Sequence, residues 1–465
     1  MALAFEGFLS TPQMLAVFDE RAVVQAMLDF EAALAQAQAD AGLVPAGAAA
    51  TIAAACRAER VDVAAIVAAS GRAGSLAIPL AKALADAVAC DDAAAAGYVH
   101  WGATSQDVID TALVLLARRA LALLDRDLGT LVAALLDLAA RHGELPVLGR
   151  TLLQPAQVVS FGFKLVAWTA PLVRRQQRLR EAGAAALRLQ LGGAVGTRAA
   201  LGDAGDAVAR GMADRLQLAL PPAAWHTQRD ELAALACEAG VLTGALGKIA
   251  VDIALMAQGE VGELAEPSGG GRGGSSAMPH KRNPVAAMVA LAASRRVPQR
   301  VAAVLAAMPQ EHERGLGNWQ AELAEIAGLF LSAHGALKAL AEAAGGLHVD
   351  AGRMRANIDA LQGLVFAEAV SMRLAGAIGK SRAHALLERL SRQAVEQGRH
   401  LRDVAREALA ADASLGVPAA EVDALFDPAR AAARAIAVAA PQLDALRAQA
   451  GALAASPPWA PWLAA

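Results

Sequence analysis

The sequence predicts an all-α protein: three helical domains, with a central bundle of about five long helices. Alanine and leucine dominate its 465 residues, whereas aromatic residues make up only 3%. This composition favours long helices packed through small side chains. Leucines recur every three or four positions across residues 108–141, which predicts a helix of about 50 Å at about 1.5 Å per residue. No segment shows the period-two alternation typical of a strand.

Four further long helical patterns follow the first along the chain. They cover residues 154–191, 230–264, 284–308 and 321–344, and segments containing glycine or proline separate them. Shorter helical patterns continue to about residue 450, and the following segment is too rich in proline to be helical. The predicted domains are an N-terminal helical domain (1–108), the central long-helix bundle with a mobile serine loop at 266–284 (109–345), a C-terminal helical domain (346–450) and a proline-rich tail (451–465).

Composition and charge exclude several classes of protein. The formal net charge of −3 provides no basic surface for nucleic acid or an acidic membrane. Cys56, Cys90 and Cys237 are far apart and lack metal-ligand spacing, so we expect buried free thiols in a reducing compartment. The N-terminus has no basic region typical of a signal peptide, and no charge-free apolar run approaches 18 residues. These features predict a soluble cytoplasmic protein that binds neither membrane nor nucleic acid.

The most informative segment is residues 273–284, Gly-Gly-Ser-Ser-Ala-Met-Pro-His-Lys-Arg-Asn-Pro. Five glycines between positions 269 and 274 prevent a regular element there. Ser275 and Ser276 follow, and Lys281 comes six residues after the first of them. No Gly-Lys-Ser/Thr follows the glycines, so this is no Walker A loop. A surface linker is the plainer interpretation, but so specific a mixture favours a mobile loop that delivers a serine to a bound anion.

Four polar clusters lie where predicted helices begin or end. They occupy residues 100–107, 149–154, 225–230 and 310–314. In the first, Thr104 or Ser105 can cap the following helix, whose free N–H groups suit a carboxylate. In the second, Arg150 taken alone indicates an ordinary surface ion pair. Together with the serine loop, the clusters predict a site for a small polycarboxylate, whose carboxylates arginine can bind at two points.

The segment 274–284 resembles the signature of the fumarase/aspartase superfamily, also called the class II fumarase and argininosuccinate lyase superfamily. The other clusters follow the order and spacing of that superfamily along nearly the whole chain. Segments 100–107, 225–230 and 310–322 most resemble the bacterial carboxymuconate cycloisomerases of the protocatechuate branch of the β-ketoadipate pathway. The wording of the signature also fits the adenylosuccinate lyases.

The resemblance implies a reaction without metal or organic cofactor and a homotetramer with a 20-helix core, in which three subunits contribute to each active site. It implies that Ser275 exchanges the proton at the substrate's α carbon, and that Lys281, the second catalytic residue, holds the activated carboxylate together with Asn283. The resemblance and the polar clusters together give the predicted substrate-binding residues: His100, Thr104, Ser105, Arg150, Thr151, Gln154, His226, Gln228, Arg229, Ser276, Met278, Asn283 and Arg314.

Two positions depart from the superfamily's pattern. Leu152 occupies the position where adenylosuccinate lyases, fumarases and aspartases have a histidine, and Pro155 the position where some cycloisomerases have one. The missing imidazole argues against an adenylosuccinate lyase, whereas cyclisation starts from an ionised carboxylate and can dispense with it. The alternatives left open are a cycloisomerase for a substituted muconate such as 3-sulfomuconate, a C–N lyase like adenylosuccinate lyase, and a catalytically silent scaffold like the lens crystallins.

Overall fold

The computed structural model describes residues 4–269, 271–274, 277–278 and 280–459. Ser275 and Ser276, on which the loop prediction centres, lie outside the described residues. Helices form most of the described chain, as the composition predicts.

Helices of the N-terminal region come first. They are α1 (Ala4–Leu9), α2 (Pro12–Val17), α3 (Glu20–Asp40), α4 (Ala46–Ala55), α5 (Val63–Ala73) and α6 (Ala77–Ala89). The central region contains α7 (Ser105–His142), α8 (Phe161–Ala186), α9 (Gly205–Leu216), α10 (Asp230–Met256), α11 (Val285–Ala306) and α12 (Asn318–Gly345). The C-terminal region contains α13 (Ala351–Asp359), α14 (Ala367–Ile378), α15 (Lys380–Gln397), α16 (Leu401–Ala411), α17 (Ala419–Asp423) and α18 (Pro428–Ala455).

Short 3₁₀ helices and two small sheets complete the fold. The 3₁₀ helices cover Ala58–Arg60, Ala95–Tyr98, Ala199–Ala204, Leu364–Phe366, Ala413–Leu415 and Ala424–Phe426. The strands are β1 (Pro146–Thr151), β2 (Gln154–Ser160), β3 (Leu264–Ala265) and β4 (His348–Val349). β1 pairs with β2 and β3 with β4, each pair antiparallel.

The predicted central bundle of five long helices is confirmed as α7, α8, α10, α11 and α12. Side-chain contacts give the helix directions. Trp319 at the start of α12 donates to Asp110 at the start of α7 at 2.9 Å. Further along both helices, His334 bonds Asp127 at 3.0 Å. Residue numbers rise along both helices from the first contact to the second, so α7 and α12 are parallel.

Contacts of α10 show that α8 and α11 are antiparallel to it. The indole of Trp168 near the start of α8 donates to Asp252 near the end of α10, at 2.7 Å. Later in α8, Arg175 pairs with the earlier Glu238 of α10 at 2.7 Å. In the same way, Gly240 of α10 lies against Val301, late in α11. Antiparallel packing therefore places the start of α10 beside the ends of α8 and α11.

The segment 154–160 corrects the prediction that a second long helix begins at residue 154. These residues form β2, which pairs with β1 as a hairpin whose register shifts between Gly149 and Arg150. The helix α8 begins only at Phe161, where the side chain of Ser160 caps it by accepting the N–H of Phe163. The expectation of no strands was wrong here, because short apolar runs do not reveal which periodicity they follow.

Two apolar cores lie in different parts of the chain. The larger one joins the N-terminal region, the long bundle, part of α18 and the buried Trp459, which follows that helix. The smaller core is built from residues 358–432 of the C-terminal region together with Leu148 and Val158 of the hairpin. The hairpin therefore connects the bundle to the C-terminal helices.

The three cysteines correct part of the expectation of buried thiols. Cys56 is buried in the larger core, whereas Cys90, which follows α6, is exposed and Cys237 on α10 is partly exposed.

α10 and α12 are long and apolar enough to cross a membrane by length and composition alone. Both helices contain charged residues, so the prediction from charge-free runs missed them. Within the most apolar window of each, 50% of α10 and 61% of α12 is buried inside the protein. The remaining surface of α10 exposes Val241, Val251 and Leu255. The apolar residues of α10 and α12 thus pack largely inside the bundle, and the three exposed residues form an uncovered stripe on α10.

Candidate active site

The N-terminus of α7 is built around Thr104 and Asp107. Thr104 is the N-cap, and its backbone N–H donates to the Asp107 carboxylate at 3.0 Å, which forms a capping box. The buried Asp107 also accepts the backbone N–H groups of Gly192 and Gly193 at 2.9 Å. Its Oδ1 lies 2.7 Å from Nε2 of His226. Asp107 therefore joins the cluster at 100–107 to the one at 225–230.

Arg314 brings a third cluster to the same place. Its Nη1 donates to the Thr104 hydroxyl at 2.7 Å, and its Nε lies 3.4 Å from Oε1 of Gln106. The guanidinium is partly exposed, whereas Gln106 is buried and donates to the carbonyl of His226. Ser105, the first residue of α7, is also partly exposed. A hydroxyl, an amide and a guanidinium thus gather at a helix N-terminus, an arrangement suited to a carboxylate.

His100 has a positive φ of 58° and bonds the buried carboxylate of Glu31 through Nδ1 at 2.6 Å. Burial lowers the pKa of His100, but the hydrogen bond and charge of Glu31, with the charge of Asp107, outweigh it and raise the pKa. The imidazole is therefore favoured in its charged form. Glu31 balances that charge, so the pair adds no net positive charge beside the N-terminus of α7.

Arg229 lies deeper than the resemblance implies. It is 2% exposed, its two Nη atoms bond Asp110 and Glu322, and its guanidinium stacks over Trp225 at 4.7 Å. Burial raises the pKa of Glu322, only partly offset by Arg229. Asp110 and Glu322 neutralise the charge of Arg229 within the subunit. This geometry supports a structural role for Arg229 rather than contact with the substrate. The neighbouring Gln228 is exposed.

The second cluster corrects the prediction that residues 149–154 open a helix, because they form the tip of the β1–β2 hairpin. Thr151 and Gln154 are paired and exposed on either side of a two-residue turn. That turn consists of Leu152 and Leu153, with φ of 51° and 66° and exposures of 96% and 72%. Two leucines in the left-handed region are unusual, since such turns favour asparagine and glycine.

Arg150 forms an ion pair, as its plainer interpretation predicts, but not a surface pair. Its two Nη atoms donate to both carboxylate oxygens of Glu263 at 2.7 and 3.0 Å. Glu263 is fully buried and also accepts from Asn357 at 2.9 Å. This pair fixes the base of the hairpin tip, so the predicted substrate contact through Arg150 would require breaking it.

The described part of the serine loop is held by backbone hydrogen bonds. The N–H of Asn283 donates to the carbonyl of Gly273 at 2.9 Å, and the N–H of Lys281 to that of Met278 at 3.0 Å. The side chains of Lys281 and Met278 are exposed. Glu266 accepts the first free N–H groups of α11 and so anchors the loop's start. Ser275 and Ser276 lie outside the described residues.

The predicted site residues divide between the two ends of the bundle. Thr104, His226 and Arg314 gather at the start of α7, whereas the hairpin follows its other end. α7 has 38 residues and is therefore about 57 Å long. The serine loop precedes α11, at the hairpin's end of the bundle, because α11 runs against α10. One subunit does not bring the two groups together.

The sequence did not reveal the carboxylates that hold the predicted cations. Glu31, Asp110, Glu263 and Glu322 are all buried, and each bonds a histidine or arginine of the clusters. An acidic residue on the apolar face of a helical pattern, such as Asp110 within α7, was the sequence signal that could have revealed a buried carboxylate. Within the described ranges, no group of three or more His, Cys, Asp or Glu residues could hold a metal ion.

Comparison with known proteins gives consistent matches along the chain. The lyase family matches residues 8–298, and the adenylosuccinate lyase C-terminus family matches residues 363–440. A 3-carboxy-cis,cis-muconate cycloisomerase of Pseudomonas aeruginosa is 51% identical over 425 residues, which cover 91% of this chain and 92% of that protein. A nitrosuccinate lyase of Streptomyces davaonensis is 42% identical over 442 residues, which cover 92% of each. The crystal structure of the 3-carboxy-cis,cis-muconate lactonizing enzyme from Pseudomonas putida has a TM-score of 0.90 and 45% identity, covering 96% of this chain and 99% of that one.

Proposed function

Since the chain belongs to the lyase family, we propose that it is a 3-carboxy-cis,cis-muconate cycloisomerase that forms 4-carboxymuconolactone. The observation that carries this proposal is the likeness to the Pseudomonas aeruginosa cycloisomerase along nearly the whole length of both chains. The gathering of Thr104, Gln106 and Arg314 at a helix N-terminus supports it, because the substrate is a tricarboxylate.

The reaction is an isomerisation in which no atom is gained or lost. One carboxylate oxygen adds to the β carbon of a conjugated double bond, and the electron pair moves through the α carbon onto the neighbouring carboxylate. A proton then adds to the α carbon and leaves a lactone. In the intermediate the activated carboxylate carries two negative charges, and the total charge of the substrate is conserved. This intermediate resembles the transition state, so fixed cationic and N–H donors should supply the largest part of catalysis.

We assign the steps to residues from both ends of the bundle. Thr104, Arg314 and the N-terminus of α7 hold one substrate carboxylate, and Lys281 with Asn283 stabilises the charge that develops on the activated one. Ser275 transfers the proton at the α carbon, as the signature implies. A serine hydroxyl needs a cationic, dehydrated environment for this step, which we assign in part to Lys281, six residues further along the chain.

We propose that the active protein is a homotetramer whose sites are shared between subunits, located in the cytoplasm. The division of the predicted site between two ends of a helix of about 57 Å supports shared sites. The exposed stripe of Val241, Val251 and Leu255 on α10 supports burial against another copy. Four copies of the five long helices would then form the 20-helix core.

The experiment that tests the function is the ultraviolet loss of the conjugated diene of 3-carboxy-cis,cis-muconate on adding purified protein. We expect rapid loss of absorbance and formation of the lactone. Parallel assays with 3-sulfomuconate, adenylosuccinate and nitrosuccinate test the substituted-muconate and lyase alternatives. Turnover of one of these in preference to 3-carboxymuconate would replace the proposal, and no turnover of any would favour a silent scaffold.

A further inference from the structure

A cavity of about 280 Å³ lies directly behind the turn of the β1–β2 hairpin. Its lining includes Arg150, Leu153, Lys164, Lys248, Asp252 and Leu255. Leu153 belongs to the turn itself, between the predicted substrate residues Thr151 and Gln154. The cavity therefore opens beside the part of the hairpin that we assign to the active site.

The charges around this cavity do not cancel. Arg150 bonds both oxygens of Glu263, and Lys248 pairs with Asp252. Lys164 forms no hydrogen bond or ion pair with any residue in the described ranges. Three cations thus face two carboxylates, and the surplus charge is that of Lys164.

The Lys164 ammonium is poorly solvated in this position. Burial lowers its pKa, and the positive charges of Arg150 and Lys248 lower it further, against the opposing effect of Asp252 and Glu263. An unpaired, partly dehydrated ammonium gains more from an anion than an exposed one does. The other walls are apolar, with Leu255, Met256 and Val261 among them. One carboxylate on a short hydrocarbon fits this combination better than inorganic phosphate.

We infer that Lys164 is a specificity-determining residue that binds one carboxylate of the substrate from behind the hairpin turn. This inference rests on the proposed function and extends it, because nothing in the sequence motif accounts for the third anionic group of a carboxymuconate. Lys164 discriminates a tricarboxylate from a dicarboxylate. It acts on binding and takes no part in the proton transfer.

The test compares Lys164→Met with the charge-retaining Lys164→Arg, measuring KM and kcat for 3-carboxy-cis,cis-muconate. Loss of one charge-assisted contact should raise KM about tenfold to a hundredfold and leave kcat within about twofold. Lys164→Arg should recover most of the affinity. Lys82→Met, which removes an exposed lysine on α6, is the control and should change neither constant.

Calorimetric binding of tricarballylate and glutarate gives a second readout that needs no turnover. The unaltered protein should prefer the tricarboxylate tricarballylate, and Lys164→Met should lose that preference while still binding glutarate. Equal weakening of both ligands, or a KM unchanged in Lys164→Met, would overturn the inference. If the unaltered protein binds both ligands but does not convert carboxymuconate, the proposed reaction fails while the role of Lys164 is still decided.

Discussion

Arg314 donates a hydrogen bond of 2.7 Å to the hydroxyl of Thr104, although 210 residues separate them in the chain. The contact joins the connection before α12 to the N-cap of α7. It leaves the arginine partly exposed, with positive charge directed at a helix N-terminus. Two sources of positive potential therefore meet at one place, where a substrate carboxylate can bind.

Replacing this arginine should reduce catalysis without unfolding the protein. Arg314→Met removes a donor that we place on a substrate carboxylate, and we expect kcat/KM to fall about a hundredfold, or about 3 kcal/mol. The thermal midpoint should change little, because no buried carboxylate loses its partner. Steady-state kinetics and circular dichroism measure both quantities. A variant with normal kcat/KM would exclude Arg314 from the site.

Ser275→Ala should separate chemistry from assembly. If Ser275 transfers the proton at the α carbon, turnover should fall at least about a hundredfold, whereas KM and oligomeric state remain unchanged. Kinetics combined with light scattering checks this expectation. The matched control is Ser276→Ala, which should retain more activity. Near-normal turnover of Ser275→Ala would show that another group handles the proton.

Arg229 should matter for stability more than for substrate binding. Arg229→Met leaves Asp110 and Glu322 buried without their cation, and breaking such a buried pair costs about 3–5 kcal/mol. Urea unfolding at neutral pH should show this loss. In the control Arg21→Met, which breaks an exposed pair with Glu59, the loss should be less than about 1 kcal/mol. Equal losses would contradict the structural role of Arg229.

The pair of His100 and Glu31 should make stability depend on pH near neutrality. Because the folded protein raises the pKa of His100 above its ordinary 6.5, the pair's contribution is complete below that value. It is lost as the pH rises through the raised pKa. His100→Gln should therefore flatten the decrease in unfolding free energy on the alkaline side. An identical pH profile in the variant would exclude this pair as the cause.

Shared active sites predict complementation between two inactive variants. Arg314→Met and Lys281→Met alter opposite ends of the bundle, so the proposed tetramer, when mixed, would contain some sites in which both residues are intact. Co-expression should restore roughly a quarter of the normal activity if subunits mix at random. Activity assays on purified mixed tetramers measure the recovery. Sites confined to single subunits would give no recovery.

Sequence reasoning succeeded where the determinants are local. Five long apolar patterns predicted the bundle, and the hydroxyls of Thr104 and Ser105 predicted a cap at the start of α7, where Thr104 is the N-cap. The helices are revealed by the repeated spacing of their apolar residues, and the cap by the position of a hydroxyl within one helical turn. The sequence predicts one site from four clusters and the serine loop. Asp107 and Arg314 bring three of them together, at 100–107, 225–230 and 310–314, whereas the fourth cluster and the loop lie at the other end of the bundle.

Sequence reasoning failed where the determinants are distant. The partner of Arg229 lies 93 residues away at Glu322, and that of Arg150 lies 113 residues away at Glu263. No local pattern identifies such partners. The hairpin was missed because β2 runs directly into α8, so the apolar positions on both sides of Phe161 look like one helical pattern. Only the pairing with β1 distinguishes them.

The turn at Leu152 and Leu153 has a consequence for redesigning this enzyme. A sequence chosen only for the stability of the subunit would place asparagine and glycine there, since left-handed leucines cost about 1–3 kcal/mol each. Such a redesign would remove the Leu153 side chain that lines the Lys164 cavity. Stabilising this backbone by consensus turn chemistry would therefore open one wall of the cavity in which we propose that Lys164 binds substrate, and libraries built for thermostability should leave this turn unchanged.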